Sequence, residues 1–208
     1  MDRRTRKRLA NRQNISDVAT RLFIERGFDN VTIDEIAEAA DVGRMTVFNH
    51  FPRKEDMFFD RKGEGLALFQ QALDEKESST PPLEALHQII LRLAQEDHPA
   101  TRFNADSQAF TNAIRASETL MASVRLMRDQ FVQTLAEAIA KSMDQTEPDS
   151  NIHLGTSLLF STLSVAYIEA HNNFRQHQNS AEAKELFIEV MEKGFRGIRT
   201  SLKDTGLV

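Results

Sequence analysis

None of the 208 residues is cysteine. Disulfides and thiolate metal ligation are therefore excluded, and the composition suits a reducing cytoplasm. Glycine is scarce, at 8 residues, and the chain holds no phosphate-cradling glycine loop and no G-x-S-x-G nucleophile elbow. An H-E-x-x-H zinc pair is also missing. No stretch approaches the roughly 18 consecutive apolar residues that a membrane span requires. The first residues, MDRRTRKRLANRQ, are basic but lack the apolar core of a signal peptide. Runs of alternating β-branched residues, the mark of strands, do not occur. The expectation is a soluble, cytoplasmic, all-α protein that is not an enzyme, needs no cofactor and has no membrane partner.

One metal motif deserves a test before it is set aside. Glu84 and His87 form a Glu-x-x-His, which puts both side chains on one helix face. A carboxylate-bridged di-iron bundle needs two such motifs and two further carboxylates. The other five histidines follow Val47, Gln95, Ser150, Ile168 and Phe174 at that spacing, so the site cannot be completed and no metal is expected.

The chain's most informative segment lies between Ile15 and Asp56. Ile15, Val18, Ala19, Leu22 and Phe23 fall at i, i+3, i+4, i+7 and i+8, which draws one apolar stripe along a helix. Gly27 follows as a stop signal. Thr32-Ile33-Asp34-Glu35 reads as a capping box opening a second helix, whose inner face is Ile33, Ile36, Ala37 and Ala40. Asp41 should end that helix, because Asp tolerates a left-handed conformation. A third short helix, about 43–50, stops before Pro52. Two short helices joined by a tight turn and braced by a longer one make a helix-turn-helix.

On the third helix Arg44, Thr46, Asn49 and His50 can face outward as hydrogen-bond donors while Val47 and Phe51 turn inward. A recognition helix needs a polar front that enters the major groove and flanking donors that grip phosphate. Lys54, opening the next helix, suits the phosphate role. The same pattern also describes a small three-helix cap with a solvated polar face.

Charge is divided unevenly. Residues 1–62 hold 13 Lys and Arg against 11 Asp and Glu, a balance of +2, whereas residues 63–208 carry −7 of the chain's net −5. Arg3, Arg4, Arg6, Lys7, Arg8 and Arg12 concentrate the basic charge in an arm expected ahead of the first helix. Such an arm could reach phosphates or the minor groove, with binding that weakens steeply in salt; the competing reading is a disordered solubilising tail. Arg4 and Arg6 are its candidate DNA contacts.

The run TRLFIERGFDNVTIDEIAEAADVGRMTVFNHFPRKEDMF resembles the DNA-binding domain of the TetR-type (tetracycline-repressor-like) transcriptional regulators. The likeness covers roughly residues 12–60. Its motifs are LF-x-x-x-GF, T-x-x-x-IA, A-x-V and T-x-F-x-HF-x-x-KE. The resemblance implies a one-component regulator that binds its operator as a dimer and releases it when a small molecule occupies a C-terminal domain. Carried over by position, Thr32, Thr46 and Lys54 would contact phosphates, and Arg44, Asn49 and His50 would lie in or beside the groove. The chain departs from the pattern at three places. Asp41 stands where Gly is usual. Phe48 replaces a Tyr and is assigned packing only. Arg53 takes a capping position usually held by Ser or Asn, losing a cap worth about 1 kcal/mol.

Beyond Pro52 the chain reads as helices near 54–75, 83–95, 101–116, 118–143, 151–176 and 181–202. The expected division is a DNA-binding domain over 1–52 and a helical effector-binding and dimerisation domain over 53–208. The last two helices carry broad apolar stripes and form an antiparallel pair. That pair either packs wholly within its own domain or joins its copy in a four-helix bundle; the resemblance implies the homodimer. The middle helices are rich in Phe and Met. Phe69, His87, Phe103, Phe110, Met127, Phe131, Tyr167 and His171 are candidates for an apolar effector pocket with a few polar groups, although any of the aromatics could be core. A helical adaptor that binds protein through its apolar helices is the competing reading. It leaves the basic arm and the outward donors of the third helix unexplained.

Overall fold

The computed structural model describes residues 2–208, the side chain of Lys62 excepted. All regular structure among the described residues is helical: α1 (Arg3–Arg26), α2 (Ile33–Ala39), α3 (Arg44–His50), α4 (Lys54–Phe58), α5 (Lys62–Glu75), α6 (Pro82–Gln95), α7 (Ala105–Ala116), α8 (Glu118–Ser142), α9 (Ser150–His177) and α10 (Ser180–Ser201), with 3₁₀ turns at Phe28–Asn30 and Pro99–Thr101. No helix among them is long and apolar enough to cross a membrane. The chain divides into two compact units, Met1–Lys62 with Ala109–Leu126, and Gly63–Gln108 with Met127–Val208.

In the first unit α1 is the spine. Ile15, Val18, Ala19 and Phe23 are buried along the expected stripe. The helix ends where Gly27 takes φ +85° and its N–H bonds the Phe23 carbonyl. The basic arm is not a separate tail, because α1 begins at Arg3 and carries Arg4 and Arg6 on its first turns. With no proline or glycine among residues 2–26, nothing in the chain interrupts the helix between the arm and the core.

The start and stop of α2 are local and follow the chemistry of their residues. The Thr32 hydroxyl accepts from the Glu35 N–H, and the Glu35 carboxylate accepts from the Thr32 N–H at 2.8 Å. After Ala40 the chain turns through Asp41 at φ +52°. There the Val42 N–H reaches the Ala37 carbonyl at 3.0 Å and the Asp41 N–H reaches Glu38 at 3.1 Å, the paired bonds of a Schellman ending. Glycine would adopt this conformation without strain; Asp does so at modest cost.

One helix was expected over 54–75, and the structure breaks it after Phe58. Two contacts from α1 account for the break. The Ser16 hydroxyl donates to the Met57 carbonyl at 2.9 Å, removing an acceptor the helix would use, and Arg12 pairs with Asp60 in the interruption. Met57 and Phe58 are buried, so packing fixes α4 on α1 instead of continuing it.

The second unit is built around α6, α9 and α10. Leu83, Leu86 and Ile90 of α6 join Leu159, Ala166 and Ala170 of α9 and Phe187, Met191, Phe195 and Ile198 of α10 in one core. The α9–α10 corner is tight: Gln178 ends α9 at φ +53°, and Asn179 caps α10 by accepting from Ala181 and Glu182. Close approach depends on two glycines. A Cβ on Gly155 would lie 2.7 Å from Leu83, and one on Gly194 would lie 2.2 Å from Thr162. The apolar stripe of α9 is not wholly consumed internally, since Leu154, Val165 and Ile168 stay exposed.

Gly194→Ala should destabilise the protein by about 1–3 kcal/mol, because Thr162 is β-branched and cannot easily turn away. Helix propensity alone predicts a gain of about 1 kcal/mol, so the sign of the change in urea-induced unfolding decides between packing and propensity.

Candidate nucleic-acid interface

Burial of Val47 and Phe51 fixes the rotation of α3. The opposite face then presents Arg44, Met45, Phe48 and Asn49 to solvent, with Thr46 and His50 half-buried at its margins. Met45 is 70% exposed and Phe48 37%. Phe48, assigned packing only, stands on the presenting face, because Val47 occupies the inward position and the next residue is turned about 100° away. The Arg44 guanidinium lies 5.6 Å from the Phe48 ring centroid, and its Nη1 donates to both carboxylate oxygens of Asp34 at 2.9 and 2.6 Å.

The flanking residues are more engaged than the sequence suggests. Thr32 donates its hydroxyl proton to Glu35 at 2.8 Å, so a phosphate that took this donor would compete with the capping box. Glu35 itself is held at a pKa of about 2 by the Thr32 backbone N–H first, then by Arg26 and the Thr32 hydroxyl. Lys54 is directed inward: its ammonium donates to the Phe28 carbonyl and sits 4.3 Å from the Phe28 ring centroid and 5.3 Å from that of Phe23. Burial lowers its pKa, opposed by Asp29, Glu55 and Glu35. Arg53 supplies no side-chain cap and pairs with Glu55 at 2.5 Å.

His50 is kept below its ordinary pKa by burial, then by Arg12 and Arg8. It is therefore a neutral imidazole at pH 7, with one N–H to donate. Its carbonyl accepts from Arg12 Nη1 at 2.6 Å, and the Arg12 guanidinium lies 4.1 Å from the Phe51 ring centroid. Arg12, read in sequence only as part of a basic arm, thus ties α1 to the end of α3 and to Asp60. Nothing local marks it, since its partners are 38 and 48 residues away. Arg4 and Arg6 are exposed on the first turns of α1.

The eight effector candidates fall into separate sets. Phe110 stacks on Phe58 at 4.3 Å within the first unit. The other seven belong to the second unit. There Phe103 lies 5.7 Å from Tyr167 and 5.1 Å from His171, and burial raises the Tyr167 pKa. Phe69 meets Phe131 edge-on at 5.7 Å, and Met127 is half-buried. His87 stacks flat on Phe195 at 3.9 Å, with its Nε2 4.0 Å from Glu192. Burial lowers its pKa. Glu84, its companion in the rejected metal motif, is held instead by Arg199 at 2.8 Å. Among the described residues no group of three potential ligands could hold a metal ion. A separate open groove of about 450 Å³ is lined by residues of α8 and α9, Ser157, Ser161 and Ser164 among them, and none of the eight lines it.

Fold and presenting helix together form a helix-turn-helix. Residues 15–60 match the profile of the bacterial regulatory proteins, tetR family. Over 96 residues the chain is 33% identical to MftR of Mycobacterium tuberculosis, which carries the name of a mycofactocin biosynthesis transcriptional regulator; the alignment covers 46% of this chain and spans about half (48%) of that relative. An HTH-type transcriptional regulator of Staphylococcus aureus is 24% identical over 79% of this chain and 89% of its own. Among solved structures, the fold matches that of SmeT in its triclosan complex with a TM-score of 0.59, 16% identity, and coverage of 90% of this chain and 91% of the other. The family match thus runs from within α1 to just past α4.

Two outcomes test the local chemistry. Lys54→Met, which keeps the bulk but loses the charge, should cost about 1 kcal/mol of stability in urea through the lost carbonyl bond and ring contacts. Glu35 has a folded pKa of about 2 against an ordinary 4.5. Its contribution is therefore fully present above pH 4.5 and is lost as pH falls toward 2. Glu35→Gln should accordingly be less stable at neutral pH and show a flatter loss of stability between pH 4.5 and 2, read by circular dichroism.

Proposed function

We propose that the protein is a cytoplasmic repressor that binds a palindromic operator as a homodimer and leaves it when a small hydrophobic or aromatic effector binds. The observation that carries the DNA-reading part is the presenting face of α3, where Arg44 and Asn49 stand exposed while Val47 and Phe51 anchor the helix from behind. Arg suits guanine O6 and N7, and Asn suits adenine N6 and N7. Thr32, Thr46, Lys54, Arg4 and Arg6 are assigned phosphate contacts, and His50 the groove margin. Residues 1–52 serve DNA, and residues 53–208 serve the effector and the dimer. No effector-binding or dimer-forming segment is needed within α3 itself, so the two tasks can be separated by mutation.

Dimerisation through α9 and α10 is supported by Leu154, Val165 and Ile168, apolar residues left exposed on α9. A palindrome places two half-sites about one DNA turn apart, so two copies of α3 must be held at that spacing. For the effector, the cluster of Phe103, Tyr167 and His171 supplies aromatic walls with polar groups among them. The related fold of SmeT forms a complex with triclosan. The effector must bind the DNA-incompetent state more tightly, since equal affinity for both states shifts nothing.

Footprinting on the DNA flanking the protein's own gene, at two salt concentrations, tests the proposal. A protected palindrome that weakens with salt is expected. Arg44→Ala/Asn49→Ala should lose about 1–3 kcal/mol per residue on that site with little change on unrelated DNA. Lys54→Ala should instead weaken binding to all sequences and reduce the salt slope by about 1. A folded dimer that protects nothing at low salt, and selects nothing from random DNA, would overturn the reading in favour of a helical adaptor.

A further inference from the structure

Before any DNA is present, the side chain assigned to guanine is already held. Arg44 Nη1 bonds both oxygens of Asp34, the second residue of α2, and the guanidinium lies near the Phe48 ring. Among the described residues its Nη2 and Nε bond no other group. We propose that Asp34 is a specificity-determining positioning residue: it selects the rotamer of Arg44 and aims the free Nη2–Nε edge outward from α3. The proposal rests on the assignment of α3 as the base-reading helix.

The magnitudes favour orientation over stability. Both partners are largely exposed, Arg44 at 57% and Asp34 at 64% of the side chain. A pair this exposed adds little to folding. It has a larger consequence for a long, rotamer-rich side chain whose ordering must otherwise be provided during binding. Bidentate geometry on one nitrogen leaves the other edge of the planar fork available, and that edge carries the two parallel N–H groups that match guanine O6 and N7. Asp34 also acts on the whole interface. Its negative charge stands beside the presenting face, where it disfavours close approach of phosphate irrespective of sequence. One residue thus raises discrimination and lowers indiscriminate attraction.

These two effects give a signature that a purely structural role lacks. Asp34→Ala should bind unrelated DNA more tightly and discriminate less, its preference for guanine over adenine at the Arg44 position falling on the order of three- to fivefold. The measurement uses the full-length protein and a DNA site selected from random sequence by the unmutated protein, with every single-base change at that position compared by fluorescence anisotropy. Arg44→Ala and the double variant complete the cycle, and thermal unfolding of each confirms the fold. In the Arg44→Ala background, Asp34→Ala should leave base preference unchanged while still tightening non-specific binding. If Arg44→Ala does not alter preference, the assignment of α3 fails. If Arg44→Ala alters it but Asp34→Ala does not, or if the Asp34 effect persists without Arg44, the positioning role is overturned and the assignment of α3 stands.

Discussion

Helices of five to seven residues are not stable alone, because nucleation consumes most of what so few hydrogen bonds return. Everything that α2, α3 and α4 present therefore depends on the buried face of α1. Ile15, Ala19 and Phe23 are fully buried there, and Ile15 and Phe23 are each worth about 1.5–3 kcal/mol of removed apolar surface. Around that face the short helices are held by specific ties: Ser16 to the Met57 carbonyl, Arg12 to the His50 carbonyl and Asp60, Lys54 to the Phe28 carbonyl. The presenting face of α3 is thus aimed by residues outside it.

Two of those ties, and the capping box of α2, use the same residue types that DNA binding requires. Arg12, Lys54 and Thr32 are basic or hydroxylic groups whose donors are already directed at protein acceptors. Contact with phosphate must share or displace these bonds. Arg44 differs, since its partner Asp34 is exposed and occupies only one nitrogen. The roles proposed for these side chains, base reading and phosphate gripping, consequently begin from different states of readiness.

What could be read from the sequence was what is decided within a few residues. Gly27, the Thr32–Glu35 box and Asp41 each act through bonds to neighbours, and each does in the structure what its chemistry implied. The apolar stripe of α1 and the inward turn of Val47 and Phe51 were equally legible, because helical periodicity fixes them. The break after Phe58 was not, as it depends on Ser16 and Arg12, more than 40 residues earlier. The aromatic candidates of the second unit were identifiable as apolar and interior, but periodicity cannot say which rings meet. Phe110 belongs with Phe58, and Phe103 with Tyr167 and His171.

The continuity of α1 has a mechanical consequence. A 24-residue helix is about 36 Å long, and its packed stretch lies toward one end while Arg4 and Arg6 lie at the other. Arg4 is some 28 Å along the axis from Phe23, so a tilt of about 10° at the packed end swings it through roughly 5 Å, more than a hydrogen-bond length. The helix is a lever with its fulcrum in the core. Small repacking around Phe23 is magnified at the cationic tip, which makes the position of Arg4 and Arg6 a sensitive gauge of core geometry.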